Sequence, residues 1–223
     1  MDKKAIIKKA RKIDLILAET HGVKKQTSPN DPTEELILTV LSQNTNDINR
    51  DRAYSSLRKK FPRWDDVASA RASSVASAIK AGGLANIKSR RIIEILKQIK
   101  AKSKGYSLDF LKDISDDEIR DYLTGFKGVG PKTVSCVMLF SLGRKTMPVD
   151  THVHRVGKRL GLIPDKYSAE KAHAWFEELS LPLDVYQLHL NLISHGRTYC
   201  RPRNPKCEEC PLRKICLYYG KRE

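Results

Sequence analysis

The chain has 223 residues, 40% of them apolar, with 42 Lys and Arg against 26 Asp and Glu and a formal net charge of +16. That apolar share is enough for a packed core and excludes a disordered tail, and no apolar run reaches the roughly 18–20 residues of a membrane span. The segment MDKKAIIKKARKIDLILAET lacks the charged start, apolar run and small-residue cleavage site of a secretory signal, so the expectation is a soluble intracellular protein with an acidic partner.

Strand signals are almost absent, and the apolar periodicity is helical throughout. Ile6, Ala10, Ile13 and Leu17 form one stripe. Asp31-Pro32-Thr33-Glu34 offers an N-cap acid, proline at the first helical position and glutamate at the third, ahead of Leu36, Ile37, Val40 and Leu41. Ile92, Ile93, Leu96 and Ile99 mark a helix ending before Gly105, and Ser115-Asp116-Asp117-Glu118 is a capping box opening a short helix through Tyr122. Ala172, Trp175, Phe176 and Leu179 form another stripe, followed by an apolar helix across residues 183–195. About ten helices joined by short turns predict an all-α protein of two helical lobes, with a cleft between lobes as the usual place for a site.

Charge and cysteine are both unevenly placed. Residues 1–25, 86–104 and 197–223 carry basic excesses of 5, 6 and 5, which account for the whole net charge, and the remainder balances. Three basic patches on a neutral body form a footprint for a polyanion, nucleic acid above all; solvated helix faces are the plainer alternative. Cys200, Cys207, Cys210 and Cys216 crowd the last residues with spacing C-x6-C-x2-C-x5-C, while Cys136 stands alone in an apolar stretch as a small core residue. Without an export signal, four such cysteines read as one tetrathiolate site for zinc or an iron–sulfur cluster. The wide loops lean toward the bulkier cluster.

Residues 123–139 read LTGFKGVGPKTVSCVML. A helix ends at Leu123, the turn Gly128-Val129-Gly130 follows, and Pro131 starts the next helix. Glycines let the backbone approach another surface, and the free N–H groups at such a helix start make an anion site fit for a DNA phosphate without base readout. Lys132 in the first turn meets the positive end of the helix dipole, which favours the neutral, nucleophilic amine; a surface lysine is the plainer reading. Eighteen residues on, Pro148-Val149-Asp150-Thr151 places Asp150 at a helix N-cap, where a fixed carboxylate either only caps or also stabilises a developing cation.

Four motifs in this order, LTGFKGVGPKT, PVDTHVHRV, HGR at residues 195–197 and the four-cysteine tail, make the chain resemble the endonuclease III family of helix–hairpin–helix DNA glycosylases across nearly its whole length. The resemblance implies a six-helix barrel over residues 25–143 and a second lobe from residues 1–24 and 144–223. The four cysteines would hold a [4Fe–4S] cluster in that second lobe. It implies Lys132 as catalytic amine and Asp150 as catalytic carboxylate, acting on double-stranded DNA that carries a damaged base or abasic site. No membrane is involved, and the protein would act as a monomer.

The implied chemistry is bifunctional: excision of a damaged, oxidised pyrimidine through a Schiff base on Lys132, then β-elimination. Alternatives are a T/G or U/G mismatch glycosylase of the same superfamily and, in another class, a non-catalytic DNA-binding iron–sulfur protein. Leu84 matches the family's wedge leucine. The loop LSQNTND matches the family's second loop, which fills the duplex and contacts the opposite strand, with one departure: the family's usual glutamine falls on Asn44, with Gln43 one position earlier. Arg201, Arg203 and Lys206, between the first two cysteines, are placed to meet phosphates. His152 would face the cleft or, like His154, sit on its helix surface; His195 reads as an interior histidine, and Arg197 as a support for the cluster.

Overall fold

The computed structural model describes residues 2–103 and 105–221, and these form helices and turns with no strand. Twelve α-helices follow in order: α1 Lys3–His21, α2 Pro32–Ser42, α3 Asp47–Lys60, α4 Trp64–Ser69, α5 Ala72–Ala78, α6 Ala85–Lys102, α7 Asp116–Thr124, α8 Pro131–Phe140, α9 Thr151–Leu160, α10 Ala169–Leu179, α11 Val185–Thr198 and α12 Leu217–Gly220. Single 3-10 turns cover Lys80–Gly82, Asp109–Asp113 and Arg213–Ile215. The all-α expectation holds. The elements beyond the expected ten are short ones such as α4, α5 and α12, which span too few residues to show a period.

The sequence signals act as the capping rules require. Asp31 accepts the Glu34 amide at 2.9 Å with Pro32 in the first turn of α2. Ser115 and Glu118 close a reciprocal capping box on α7. The Ile6–Leu17 stripe of α1 is buried as expected, and Asp14 lies on the same face, where Gln187 Nε2 donates to both carboxylate oxygens at 3.1 Å.

The chain divides into two units, Pro29–Leu142 and Met1–Ser28 with Gly143–Glu223. In the first, α2 packs on α3 and α8, and α6 runs against α4 and α5. Leu36, Ile37, Val40 and Leu41 meet Leu57, Ile92, Leu96, Ile99, Leu123, Val134 and Val137 in one apolar core. In the second, α11 lies between α1 and α9, and α10 and α12 flank α9. Among the described residues, no helix is long and apolar enough to cross a membrane.

Candidate active site and metal centre

The hairpin between α7 and α8 is held from inside its own unit. Gly128 takes a φ of +83° with the Arg91 guanidinium pressed on it, 2.7 Å from where a Cβ would stand. Gln43 Nε2 donates to the Gly128 carbonyl at 3.0 Å, and its Oε1 accepts from Arg91 Nη1, also at 3.0 Å. Gly130 is extended and open, and a Cβ there would meet nothing within 4 Å. No side chain caps α8, so the first-turn amides of Lys132 and Thr133 point outward from the helix start, as an anion site needs. Val129 departs from expectation. Its side chain is buried in the core and its N–H is bonded to the Phe126 carbonyl at 3.0 Å, which takes it out of the anion-facing set.

Lys132 stands half-buried in the first turn of α8, with Nζ 3.5 Å from Ser42 Oγ. Near it lies Glu35, buried, with its carboxylate accepting from Asn30 Nδ2 at 2.7 Å and Thr39 Oγ1 at 3.0 Å. Burial raises the Glu35 carboxyl above its ordinary range, against the lowering effect of those two bonds and of the Lys132 and Arg50 charges. Cys136 is a core thiol as expected, pushed up to about 11 chiefly by burial.

Two exposed loop tips of the same unit share an uncommon backbone. Asn44 has a φ of 53° and Leu84 of 48°, the left-handed region that non-glycine residues seldom occupy. The Leu84 side chain is 50% exposed, whereas Gln43, beside Asn44, is occupied by Arg91 and Gly128. Of the two neighbours, Gln43 is the bonded side chain and Asn44 the exposed one.

Asp150 belongs to the second unit. Its Oδ1 accepts the Val153 amide at 2.7 Å, capping α9, and among the described residues Oδ2 has no hydrogen-bond partner. Cap and free acceptor thus coexist on one carboxylate. The segment before it is fixed by a residue that sequence reasoning missed: His173 Nε2 accepts the Val149 N–H at 2.9 Å, with Nδ1 2.8 Å from the Ala169 carbonyl. His152 is half-buried, its Nδ1 3.2 Å from Arg155, and burial lowers its pKa. His154 contacts the Tyr167 carbonyl at 2.9 Å. Gly196 of the HGR motif lets α11 press on α9, since a Cβ there would stand 2.9 Å from His152 Nδ1.

Cys200, Cys207, Cys210 and Cys216 line one hollow, together with His195, Arg159 and Tyr199. None is in a disulfide. Four free thiols around one hollow are a donor set that fits an iron–sulfur cluster. Burial pushes the Cys210 thiol up to about 11, and the three neighbouring cysteines add to the rise; coordination would remove that proton. Arg159, also missed from sequence, points Nη1 at Cys200 Sγ at 3.4 Å and donates to the Arg201 carbonyl at 2.7 Å, while Arg155 Nε reaches the Cys200 carbonyl at 3.0 Å. Arg197 is exposed and outside the lining; its charge is felt by His152. His195 is the interior histidine expected, with Nε2 3.5 Å from Cys210 Sγ. Arg201 and Arg203 are exposed on the loop, and Lys206 keeps its Nζ 3.4 Å from Glu209 at the surface.

Comparison with known proteins agrees with this geometry. Residues 37–181 match the model of the HhH-GPD superfamily base excision DNA repair protein, and residues 200–216 that of the iron–sulfur binding domain of endonuclease III. The cofactor of this chain is accordingly a [4Fe–4S] cluster. Endonuclease III of Thermotoga maritima is 34% identical over 86% of this chain and 85% of its own. That of Sulfolobus acidocaldarius is 32% identical over 82% and 81%. A solved structure of a trapped endonuclease III–DNA covalent intermediate aligns with a TM-score of 0.80 at 26% identity, covering 100% of this chain and 99% of that one.

Proposed function

Since the chain belongs to the HhH-GPD superfamily of base excision DNA repair proteins and is an endonuclease III-like DNA glycosylase, we propose that it is bifunctional, excising an oxidised pyrimidine and then cutting the strand at the abasic site. The observation that carries this reading is Lys132. Its amine sits in the first turn behind an uncapped hairpin, beside a neutral hydroxyl and outside ion-pair distance of any described carboxylate.

The chemistry follows from the groups present. The hairpin amides hold a phosphate of the duplex, and the lesion leaves the base stack because C1′ is otherwise hidden. The Lys132 amine bonds to C1′ while the C1′–N bond to the base breaks, the electron pair leaving with the base. The step needs a carboxylate to take the proton shed by the amine and to balance positive charge at C1′, and Asp150, whose Oδ2 has no hydrogen-bond partner among the described residues, is a group of that kind. Opening of the sugar at its ring oxygen gives a Schiff base, loss of a C2′ proton follows, and the C3′–O bond breaks. Cys200, Cys207, Cys210 and Cys216 hold the cluster, which when bound gives the tail a covalent frame; Arg201, Arg203 and Lys206 on that frame meet DNA phosphates. Leu84 and Asn44 fill the space the lesion vacates.

Borohydride trapping on an abasic duplex tests the reading. A covalent adduct is expected from the native protein, and Lys132→Ala should abolish it while lowering excision about a thousandfold or more. An excised base without any adduct would make the protein a monofunctional glycosylase. A panel of duplexes with single lesions, including T and U opposite G, fixes the substrate.

A further inference from the structure

Lys88 is a lysine in the wrong place for the surface role its neighbours have. It is 1% exposed, on α6 one turn before Ile92 and on the same buried face as Ile92, Leu96 and Ile99. Its Nζ donates to two backbone carbonyls, Leu41 at 2.7 Å and Gly82 at 2.7 Å. Among the described residues no carboxylate pairs with it, and burial lowers its pKa. An unpaired buried amine is costly to a fold, and an apolar side chain of similar volume would fill the space more cheaply.

What the amine joins explains its presence. Leu41 lies in the last turn of α2, where carbonyls lack helical partners and a cation meets the negative end of the dipole. Three residues later comes Asn44. Gly82 ends the turn Lys80–Gly82, pressed on α3 so closely that a Cβ would stand 3.1 Å from that of Ala53; two residues later comes Leu84. Both tips hold left-handed backbone, which persists only where the surroundings over-determine it.

We propose that Lys88 is a positioning residue that ties these two loops together, so that Leu84 and Asn44 enter the duplex as one preset pair. The proposal rests on the reading of those two residues as duplex-filling. The rigidity lowers the entropy lost when the loops engage DNA, and it sets the spacing between wedge and partner-strand contact.

The test uses the full-length, cluster-loaded protein on a duplex with a tetrahydrofuran abasic analogue and 2-aminopurine as the opposing base. Native protein should raise the fluorescence as the loops unstack that base, and Leu84→Ala should lose most of the rise. Lys88→Met should lose it too, with lesion excision from duplex down tenfold or more. Borohydride trapping on a single-stranded abasic oligonucleotide, which needs no loop insertion, should stay within twofold of native. Lys88→Arg, which keeps charge and donors, should recover part of the rise, and it carries the test if Lys88→Met does not fold. Native fluorescence and excision in folded Lys88 variants, or an equal loss on duplex and single strand, would overturn the proposal while leaving Leu84 in its role. Native-like fluorescence from Leu84→Ala would instead overturn the loop reading and the proposal with it.

Discussion

The hairpin and the cysteine loop each hold an exposed segment still, and they do it by opposite means. The hairpin stands on a helix whose Thr133, Val134, Ser135, Cys136, Val137, Met138 and Leu139 are all buried, and single polar contacts from Gln43 and Arg91 trim its shape. In the tail, from Cys200 to Lys221, Leu212 is the one buried side chain among the described residues. So little apolar surface cannot order a loop of that length, and a metal centre takes the place of the core. The difference teaches where each segment is vulnerable: the hairpin to changes in packing, the loop to loss of metal.

The largest expected effect comes from breaking the loop's support. Cys207→Ser or removal of iron should unfold the tail selectively, exposing residues near 200–221 to protease while the hairpin unit keeps its helical signal; native protein should be brown with about four irons per chain. Uniform unfolding of both units would erase the distinction. Next, Gly128→Ala attacks the hairpin through packing. The added methyl meets Arg91 at 2.7 Å in a left-handed backbone, so a loss of about 1–3 kcal/mol in thermal unfolding and a weaker grip on undamaged duplex are expected, with iron content unchanged.

A smaller effect concerns pH. Glu35 has its pKa raised by burial, so the native state binds its proton more readily than the unfolded chain does. Stability from this group is full below its ordinary value of 4.5 and is lost as pH rises through the raised value. Glu35→Gln should therefore raise the melting temperature of the hairpin unit more at pH 7 than at pH 4, and an equal shift at both would refute the assignment. Smallest of all, Arg201→Ala and Arg203→Ala should each flatten the salt dependence of duplex affinity by up to about one unit of slope, with hairpin variants compared at the same salt.

Much of the fold is legible in the chain of letters. Capping boxes and proline positions locate α2 and α7, because the residues that satisfy free amides are few and local. The cysteines are legible because metal ligation constrains residue type absolutely. Long-range single contacts are not. Val129 sits between two glycines and reads as part of an exposed turn, yet its side chain turns inward to the core. Lys88 falls within a basic patch by composition, although its place on the Ile92–Ile99 stripe signals burial. Arg155, Arg159 and His173 act on backbone carbonyls and amides far along the sequence, and backbone groups leave no mark in composition.

The Gln43 amide is read from both ends, oxygen by a guanidinium and nitrogen by a carbonyl, so a glutamate there would answer one and repel the other. With that side chain committed, the tip of the loop falls to Asn44, a residue one methylene shorter than glutamine. On the proposed reading of Asn44 and Leu84 as duplex-filling residues, a shorter side chain touches less of an unpaired base, and more of the discrimination between orphaned partners rests on how deeply Leu84 enters.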